Sequence, residues 1–457
     1  MRQELKREIS LLQATSINMI DMVGIGPFVT FSLVIQMVGN NGFLWAWVFG
    51  AVTALIDGMI WSELGAAYPL AGGSYNFLKE AYGRNGGRLM SFLFVWQTCL
   101  QSALVVASGA IGFAHYFQYL VPLSWWEAKA VSGLLVIAIT ALLYRNIRSI
   151  GKMTVFLWAG VIVILLWIII SGFTHQRVPY SPLPAKGETM FSWSFMLLLG
   201  HASVKTIYSY LGYYNVCHLG GEIRDPGRNI PRSIFISIIC IAILYLAMNL
   251  SVVGVVPWQE AMHSKFAISL FIERIYGSRT AQVATVLVLW IAFASLFAVV
   301  LGYSRVPYAA AADGNFFPWF ARLHPRKEFP YVSLLFVGGL GFICSLFLRL
   351  EDAISAILAM RILVQFVAQA IGVVLLRRRN GTAHLPFKMW LYPVPVILSV
   401  AIWLFIWFST GKAALLGLFL TACGAVVYIV ARDTWRRDKK IPPFEFEEEE
   451  DAKKKIV

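Results

Sequence analysis

The strongest constraint on the fold is the recurrence of long apolar stretches along almost the whole chain, separated by short polar gaps. Only 14% of the 457 residues are charged, whereas a soluble domain carries about 25%. The mean hydropathy is +0.69. A helix needs ~20 predominantly apolar residues to cross the hydrocarbon core of a bilayer. The pattern therefore predicts an all-α polytopic membrane protein and excludes a soluble fold.

The apolar stretches predict twelve transmembrane helices and one membrane domain. The predicted helices span residues 12–38, 42–67, 87–119, 127–144, 151–172, 191–220, 231–256, 281–312, 330–348, 353–377, 390–409 and 413–431. The gaps 173–190 and 257–280 are expected to be extracellular loops. We assign residues 1–431 to a single membrane domain. Residues 432–457, with an acidic run followed by lysines, are expected to form a charged cytoplasmic tail.

The excess of basic residues predicts the orientation of the chain in the membrane. The formal net charge is +14, and Lys and Arg gather in alternate gaps, for example at 145–152, 224–232 and 377–379. Such residues mark the cytoplasmic loops of membrane proteins. We therefore expect a multi-pass protein of the cell membrane with both termini in the cytoplasm. Membrane lipid, and not nucleic acid, is the partner that this charge pattern predicts.

Residues that usually build catalytic or metal centres are dispersed along the sequence. The five cysteines form neither CxxC pairs nor a metal-ligand spacing, and the seven histidines are equally scattered. The sequence contains no phosphate loop or nucleophile motif. We therefore predict neither an enzyme nor a metal or organic cofactor. The gap 118–127 contains no cysteine, so it offers no attachment point for a disulfide-linked subunit.

The first apolar segment is interrupted in its middle. Residues 24–28, GIGPF, place two glycines and a proline where hydropathy predicts a membrane helix. Glycine is conformationally permissive and proline lacks an N–H donor, so the helix is expected to unwind locally. Freed backbone groups persist in a bilayer only where protein, water or a ligand satisfies them. A proline kink packed against a neighbouring helix is the alternative interpretation.

A second interruption lies in the sixth segment. Residues 208–215, YSYLGYYN, are polar and aromatic and contain a glycine near the middle of the predicted helix. If 12–172 and 191–377 form two inverted repeats of five helices, the two interruptions occupy corresponding positions. Paired interruptions of this kind indicate a transporter binding site near the bilayer midplane. We predict a five-plus-five inverted repeat with helices 1 and 6 unwound, followed by helices 11 and 12 at 390–431.

The chemistry of the two interruptions suits a zwitterion. A half-helix that begins after Gly26 presents free N–H groups and the positive end of its dipole to an anion such as a carboxylate. Carbonyl oxygens released at Val23 and at 208–211 accept hydrogen bonds from an ammonium group. Neither interruption contains Asp or Glu, which argues against a site built mainly for a polyamine.

Five motifs in the same order resemble the amino acid/polyamine/organocation superfamily of permeases, over residues 8–430. They are GIGPF (24–28), WSELGAAYP with GGSY (61–69 and 72–75), YSYLGY (208–213), EIRDPGRNIPR (222–232) and the stretch 304–315 after helix 8. The fourth motif is the most specific. This resemblance implies transport of amino acids by alternating access, coupled to protons or to the exchange of a second substrate.

The resemblance also implies which residues bind substrate. It implies a carboxylate contact at 24–26 and amino-group contacts at Val23, Tyr208, Ser209 and Leu211. With the rest of the second interruption, the predicted substrate-binding residues are Val23, Gly24, Ile25, Gly26, Tyr208, Ser209, Tyr210, Leu211 and Gly212. Ile25 replaces a family serine and Leu211 replaces a family acid. The helix-5 lysine that couples protons in some members has no counterpart, since residues 160–161 are apolar.

Ionisable residues inside membrane spans are costly and are therefore candidates for gating or proton coupling. Lys205 precedes the second interruption by about one turn, although it could instead extend towards the outer surface. Asp21 and Asp57 are expected to face the bundle and to pair with Lys205 or with Arg361. Tyr213, beside the interruption, is a candidate aromatic gate.

Two other functions remain open at this point. An amine or polyamine transporter of the same fold would require an acid that lines the cavity, and Asp21 and Asp57 are the nearby candidates. A membrane sensor that does not transport would show no uptake of amino acids or amines.

Overall fold

A computed structural model describes residues 5–177, 192–264, 266–348, 357 and 360–437. Within these ranges the regular structure is helical, apart from two isolated β-bridges that pair Ile9 with Ile223 and Ala71 with Leu219. Most of the predicted outer loop 173–190, the start of the tenth helix and the charged tail beyond 437 lie outside the described residues.

The helices follow the predicted segments closely. They are α1 (Leu11–Met22), α2 (Gly26–Ala67), α3 (Ser74–Phe117), α4 (Trp125–Leu143), α5 (Ile147–Thr174), α6 (Trp193–Tyr210), α7 (Asn215–His218), α8 (Pro226–Val253), α9 (Trp258–Ala261), α10 (Ala267–Tyr276), α11 (Ser278–Tyr303), α12 (Arg305–Ala312), α13 (Tyr331–Phe347), α14 (Ala368–Asn380), α15 (Val394–Ser409) and α16 (Lys412–Arg437). A π-helical turn, Ile362–Val367, leads directly into α14.

Helices long and apolar enough to cross a membrane dominate the described chain. Seven single helices meet this condition, and α1 with the first part of α2 forms a further span bent by 43°. Gly39, with φ of 67°, turns the chain within α2. Gly26–Gly39 therefore belongs to the bent span with α1, and Gly42–Ala67 forms the next span. The helices α13 and α15 are apolar but shorter. The expectation of an all-α polytopic membrane protein is confirmed.

Local sequence explains where several helices begin. Ser10 and Gln13 form a reciprocal capping box at the start of α1, with the Ser10 N–H 2.8 Å from Gln13 Oε1. Ser124 and Glu127 form the same motif at the start of α4. Asn146 accepts a backbone hydrogen bond at the start of α5. These side chains satisfy N–H groups that a helix leaves free in its first turn.

The two helices that precede the breaks, α1 and α6, have different neighbours in the bundle. The helix α1 packs against α5, α8 and α11, whereas α2 packs mainly against α6 and α8. On α5, Phe156, Val163 and Ile170 recur every seven residues and are each more than half exposed. An exposed apolar stripe of this kind is typical of a helix face that contacts lipid.

Two predicted boundaries need correction. The expected extracellular loop 257–280 contains the helices α9 and α10. On α10, Ala267, Ile268, Phe271 and Ile272 are buried, so an amphipathic helix too short to span a membrane packs against the bundle. The helix α16 continues to Arg437, past the predicted end at 431.

Candidate substrate-binding site

The first break, residues 23–25, separates α1 from α2. The Val23 N–H donates to Met19 O at 2.9 Å, and the Gly24 N–H donates to Met22 O at 3.1 Å. No side chain caps α2, and Pro27 lies in its first turn. The first N–H groups of α2 therefore have no acceptor within the helix. The structure thus has a half-helix that starts where the sequence predicted one, and its binding of a carboxylate stays a prediction.

The second break, residues 211–214, separates α6 from α7. Leu211 adopts an extended conformation and Gly212 has a φ of 118°, which favours glycine. A Cβ at Gly212 would lie 2.8 Å from the Asp21 Cγ. Only a glycine lets the second break pass this close to the end of α1.

Hydrogen bonds connect the two breaks. The Tyr245 hydroxyl, on α8, lies 2.7 Å from Met22 O and 3.1 Å from Ser209 O. The hydroxyls of Thr30 and Ser209 are 2.9 Å apart. Tyr245 therefore partly satisfies carbonyl groups that both interruptions release. Sequence reasoning missed it, because a tyrosine inside an apolar segment carries no sign of which neighbour its hydroxyl faces.

A small cavity lies between the two breaks. It encloses about 60 Å³ of space that the centre of a water molecule can reach. Its walls come from the two breaks and the helix ends beside them, from α3 and α11, and from the segment that precedes α14. The lining residues are Asp21, Met22, Gly24, Ile25, Gly26, Val105, Gly109, Tyr208, Ser209, Leu211, Gly212, Tyr214, Ala292, Ser295, Leu296, Val299, Tyr303, Ile357 and Arg361. The two interruptions thus border the same cavity.

Most of the predicted substrate-binding residues line this cavity. Those that do are Gly24, Ile25, Gly26, Tyr208, Ser209, Leu211 and Gly212. Val23 and Tyr210 are not among the lining residues. Val23 is fully buried, and the Tyr210 ring packs edge-on against Trp47 and Tyr245, with ring centroids 6.2 and 5.2 Å apart. These two side chains support the walls from behind.

Of the gating and coupling candidates, Asp21 and Arg361 line the cavity, whereas Lys205, Asp57 and Tyr213 do not. Lys205 is half-buried on α6, and its carbonyl accepts a hydrogen bond from Ser209 Oγ at 3.3 Å. Its role in gating or coupling stays a prediction.

Arg361 forms the best-connected polar group of the cavity. It donates hydrogen bonds to the hydroxyls of Tyr214 and Tyr303, and its Nε donates to Gln365 Oε1 at 3.0 Å. Asp21 lines the same cavity, but it forms no salt bridge with Arg361, so the predicted direct pairing of these two side chains needs correction. One acid and one base thus face the cavity, so its described wall is formally neutral. Tyr303 was not singled out from the sequence.

The predicted partners of Asp57 need correction. Its carboxylate accepts hydrogen bonds from four neutral groups, on Trp61, Tyr213, Ser399 and Trp403. The expected pairing with a cation is replaced by this neutral cluster. Three of these donors, Tyr213, Ser399 and Trp403, lie 156, 342 and 346 residues away in sequence, so a local pattern cannot reveal them.

Ion pairs close the end of the bundle that the sequence predicts to be cytoplasmic. Arg305 and Glu222 form a pair at 3.0 Å in which both side chains are 1% exposed. Arg377 binds both carboxylate oxygens of Glu63, at 2.7 and 2.5 Å. The first pair joins α12 to the turn between α7 and α8, and the second pair joins α14 to α2.

Metal ligands are not clustered in the part of the chain that the structure describes. Those residues contain no group of three or more His, Cys, Asp or Glu side chains placed to hold a metal ion. The five cysteines, all within the described ranges, are free thiols. The polar groups at the breaks are backbone N–H and C=O groups, hydroxyls and one acid–base pair, which suits an organic ligand.

Comparison with known proteins gives the family. The family model for amino acid permeases matches residues 9–431. The chain belongs to the amino acid permease family. It is therefore a membrane transporter and not an enzyme, with the twelve-helix inverted-repeat fold of that family.

Curated relatives of this permease align over nearly its full length. A branched-chain amino acid permease of Bacillus subtilis is 23% identical over 94% of this chain and 93% of its own length. A serine/threonine exchanger of the same organism is 26% identical, over 91% and 95%. A methylthioribose transporter of Bacillus subtilis is 21% identical, over 94% of both chains. These names differ in substrate, so the substrate must be argued from the cavity.

Proposed function

We propose that this permease is a secondary active transporter that moves amino acids across the cell membrane by alternating access, as a proton symporter or an exchanger. The observation that carries the proposal is the formally neutral cavity between the two breaks, where the start of α2 faces Asp21 and Arg361. Relatives named as amino acid permeases and exchangers support the same substrate class.

The cavity offers complementary groups to both ends of a zwitterion. The free N–H groups at the start of α2 suit the carboxylate, and the helix dipole adds to the attraction. Ile25 and Pro27 contribute no polar side chain, so this contact comes from the backbone alone. Asp21 and the carbonyls near Tyr208 and Leu211 suit the ammonium group. A neutral amino acid leaves the total charge of the site unchanged.

The size of the cavity favours small substrates in this conformation. The cavity of about 60 Å³ is a few times the roughly 10–15 Å³ that one buried water needs, so in this conformation it has room for a small substrate only. A larger side chain requires outward movement of the wall formed by Leu211, Leu296 and Val299.

An amine or polyamine substrate is the second candidate, and Asp21 is the observation that favours it. An acid lines the cavity, as that alternative requires. Arg361 faces the same cavity, however, and its charge opposes a polycation. An amino acid satisfies both groups, whereas a polyamine leaves the arginine repelling it.

The experiment is an uptake screen with purified protein in proteoliposomes. Each of the common amino acids, spermidine, putrescine and methylthioribose is supplied in radiolabelled form. Uptake is measured with an imposed pH gradient and, separately, with unlabelled compound inside. We expect uptake of small neutral amino acids above that of protein-free liposomes. Stimulation by the pH gradient indicates symport, and stimulation only by internal substrate indicates exchange.

Other outcomes of the screen would overturn the proposal. Uptake of the amines in place of amino acids would establish the second candidate. Uptake of methylthioribose alone would place the substrate outside both classes. If purified and folded protein takes up or exchanges none of these compounds, a sensor that does not transport becomes the better reading.

A further inference from the structure

Asp57 is a buried carboxylate surrounded by hydrogen-bond donors in the middle of α2. Its residue is 1% exposed. The Oδ2 atom accepts from the Trp61 Nε1–H at 2.8 Å and from the Tyr213 hydroxyl at 2.5 Å. The Oδ1 atom accepts from the Ser399 hydroxyl and the Trp403 Nε1–H, both at 3.1 Å. Each oxygen therefore carries one indole and one hydroxyl donor.

The four donors come from three separate parts of the fold. Trp61 lies on α2 itself, Tyr213 lies in the second break, and Ser399 and Trp403 lie on α15. The helix α15 follows the two predicted repeats and is not part of either. Hydrogen bonds to an ionised acceptor are about twice as strong as those between neutral groups. One carboxylate thus connects the second break to a helix outside the repeats.

Aromatic stacking extends this cluster to the cavity wall. Trp61 stacks on Tyr214, with ring centroids 4.5 Å apart and an interplanar angle of 20°. Trp403 stacks on Phe366 at 3.9 Å and 9°. Tyr214 lines the cavity and accepts a hydrogen bond from Arg361. Tyr213 and Tyr214 are consecutive residues of the second break. A displacement of Asp57 or its donors would therefore move Tyr213 and, with it, Tyr214 in the cavity wall.

We propose that Asp57 is a positioning residue that holds the second break against α15 and so sets the shape of the cavity, without contacting substrate. The hydrogen bond from its hydroxyl to Asp57 fixes Tyr213, the bonds from Ser399 and Trp403 join the carboxylate to α15, and the stacked Trp61 fixes Tyr214. The effect on transport rests on the proposed function. The effect on the geometry of the break does not, and it can be measured without any substrate.

The arrangement of donors makes asparagine a poor substitute for Asp57. An indole N–H only donates, and an amide has one acceptor oxygen and one NH₂ donor. In either orientation of an asparagine amide, its NH₂ group faces one of the two indole N–H groups. Asp57→Asn is therefore expected to displace the cluster even though the two side chains are nearly identical in shape. Trp403→Phe removes one of the conflicting donors and keeps an aromatic ring.

The test uses Leu211→Cys as a reporter, because Leu211 lies in the second break and lines the cavity. The rate of modification by a small neutral thiol reagent is followed on full-length protein by peptide mass spectrometry, which separates this position from the native cysteines. The rate is compared in the unchanged background, in Asp57→Asn, in Asp57→Asn with Trp403→Phe, and in Trp407→Phe. Trp407 is the matched control, because it lies on α15 and its buried Nε1 has no hydrogen-bond partner.

We expect Asp57→Asn to change the modification rate by roughly tenfold, the equivalent of one lost hydrogen bond to a charged group. Adding Trp403→Phe should move the rate back towards that of the unchanged background, and Trp407→Phe should leave it unchanged. If Asp57→Asn fails to fold, Tyr213→Phe replaces it, since that change removes one donor and leaves three. An unchanged rate in a folded Asp57→Asn or Tyr213→Phe protein would overturn the proposal.

A transport measurement adds the link to function. With the amino acid that gives the highest uptake in proteoliposomes, Asp57→Asn should raise KM, and the added Trp403→Phe should lower it again. A purely structural role predicts less folded protein with an unchanged KM, and an additive loss in the double variant. If the unchanged protein takes up no amino acid, the proposed function fails, whereas the modification rates still decide the role of Asp57.

Discussion

Gly26 lies where the first turn of α2 meets the second break. A Cβ at this position would lie 3.3 Å from the Tyr208 ring, closer than most packed side chains approach, and in ordinary contact with Ser209 Oγ at 3.5 Å. The backbone N–H groups that we assign to the substrate carboxylate start at the same point. The absence of a side chain at Gly26 is therefore what leaves them accessible.

We predict that Gly26→Leu weakens amino acid binding by about 10- to 100-fold, which corresponds to an overpacking cost of roughly 1–3 kcal/mol in the occupied site. The protein should remain folded, because the added atoms have the cavity to enter. Binding is measured by a radioligand assay and folding by thermal unfolding. Gly339→Leu is the control, since no atom lies within 4 Å of a Cβ built there. Retained affinity in the Gly26 variant would place the site elsewhere.

The sequence identified site residues where composition itself was unusual. Glycines and a proline inside an apolar segment predicted the first break. An arginine inside a membrane span is energetically costly, which made Arg361 a functional candidate. It did not reveal Tyr245 or Tyr303, because a tyrosine has the same neighbours in sequence whether its hydroxyl meets a released carbonyl or lipid. For Asp57 it predicted burial but the wrong partners, since Trp403 lies 346 residues away.

Among the helices, α8 holds the two breaks together through Tyr245. We predict that Tyr245→Phe lowers the free energy of unfolding by about 1–3 kcal/mol, because buried carbonyls lose their donor. It should also weaken substrate binding, since both breaks border the cavity. Thermal unfolding and a binding assay measure the two effects. Tyr116→Phe is the matched control, because the buried Tyr116 hydroxyl has no hydrogen-bond partner. Equal effects of both changes would contradict the role of Tyr245.

Long helices were easier to predict than short ones. A membrane-spanning helix must satisfy its own backbone over ~20 apolar residues, so hydropathy alone locates it. The helix α10 has only 10 residues and is stabilised by burying one face, so it is too short for a span of ~20 apolar residues to reveal it. The π-helical turn at Ile362–Val367 has no sequence signature at all. Glycine with positive φ at Gly39 did mark the predicted boundary between the first two spans.

At the scale of the whole molecule, the buried Arg305–Glu222 pair joins the exit of the second break to the end of α11. Removing one partner leaves an unpaired buried charge. We predict that Glu222→Leu destabilises the fold by about 3–5 kcal/mol, whereas Glu222→Leu with Arg305→Met is milder than the single change. Thermal unfolding of both variants measures the difference. A double variant no more stable than Glu222→Leu would contradict the prediction, and its comparison with the unchanged protein shows whether the pair is net stabilising.

The neutral cavity has a consequence for energetics. A membrane potential acts on net charge, and 100 mV is worth about 2.3 kcal/mol for each elementary charge that crosses. With Asp21 and Arg361 compensating each other, a site that carries a zwitterion has the same charge as an empty one. Exchange of neutral amino acids is then indifferent to voltage. Under the proposed function, a potential then acts on uptake through a co-transported ion, so voltage-dependent uptake of a neutral amino acid would indicate ion coupling.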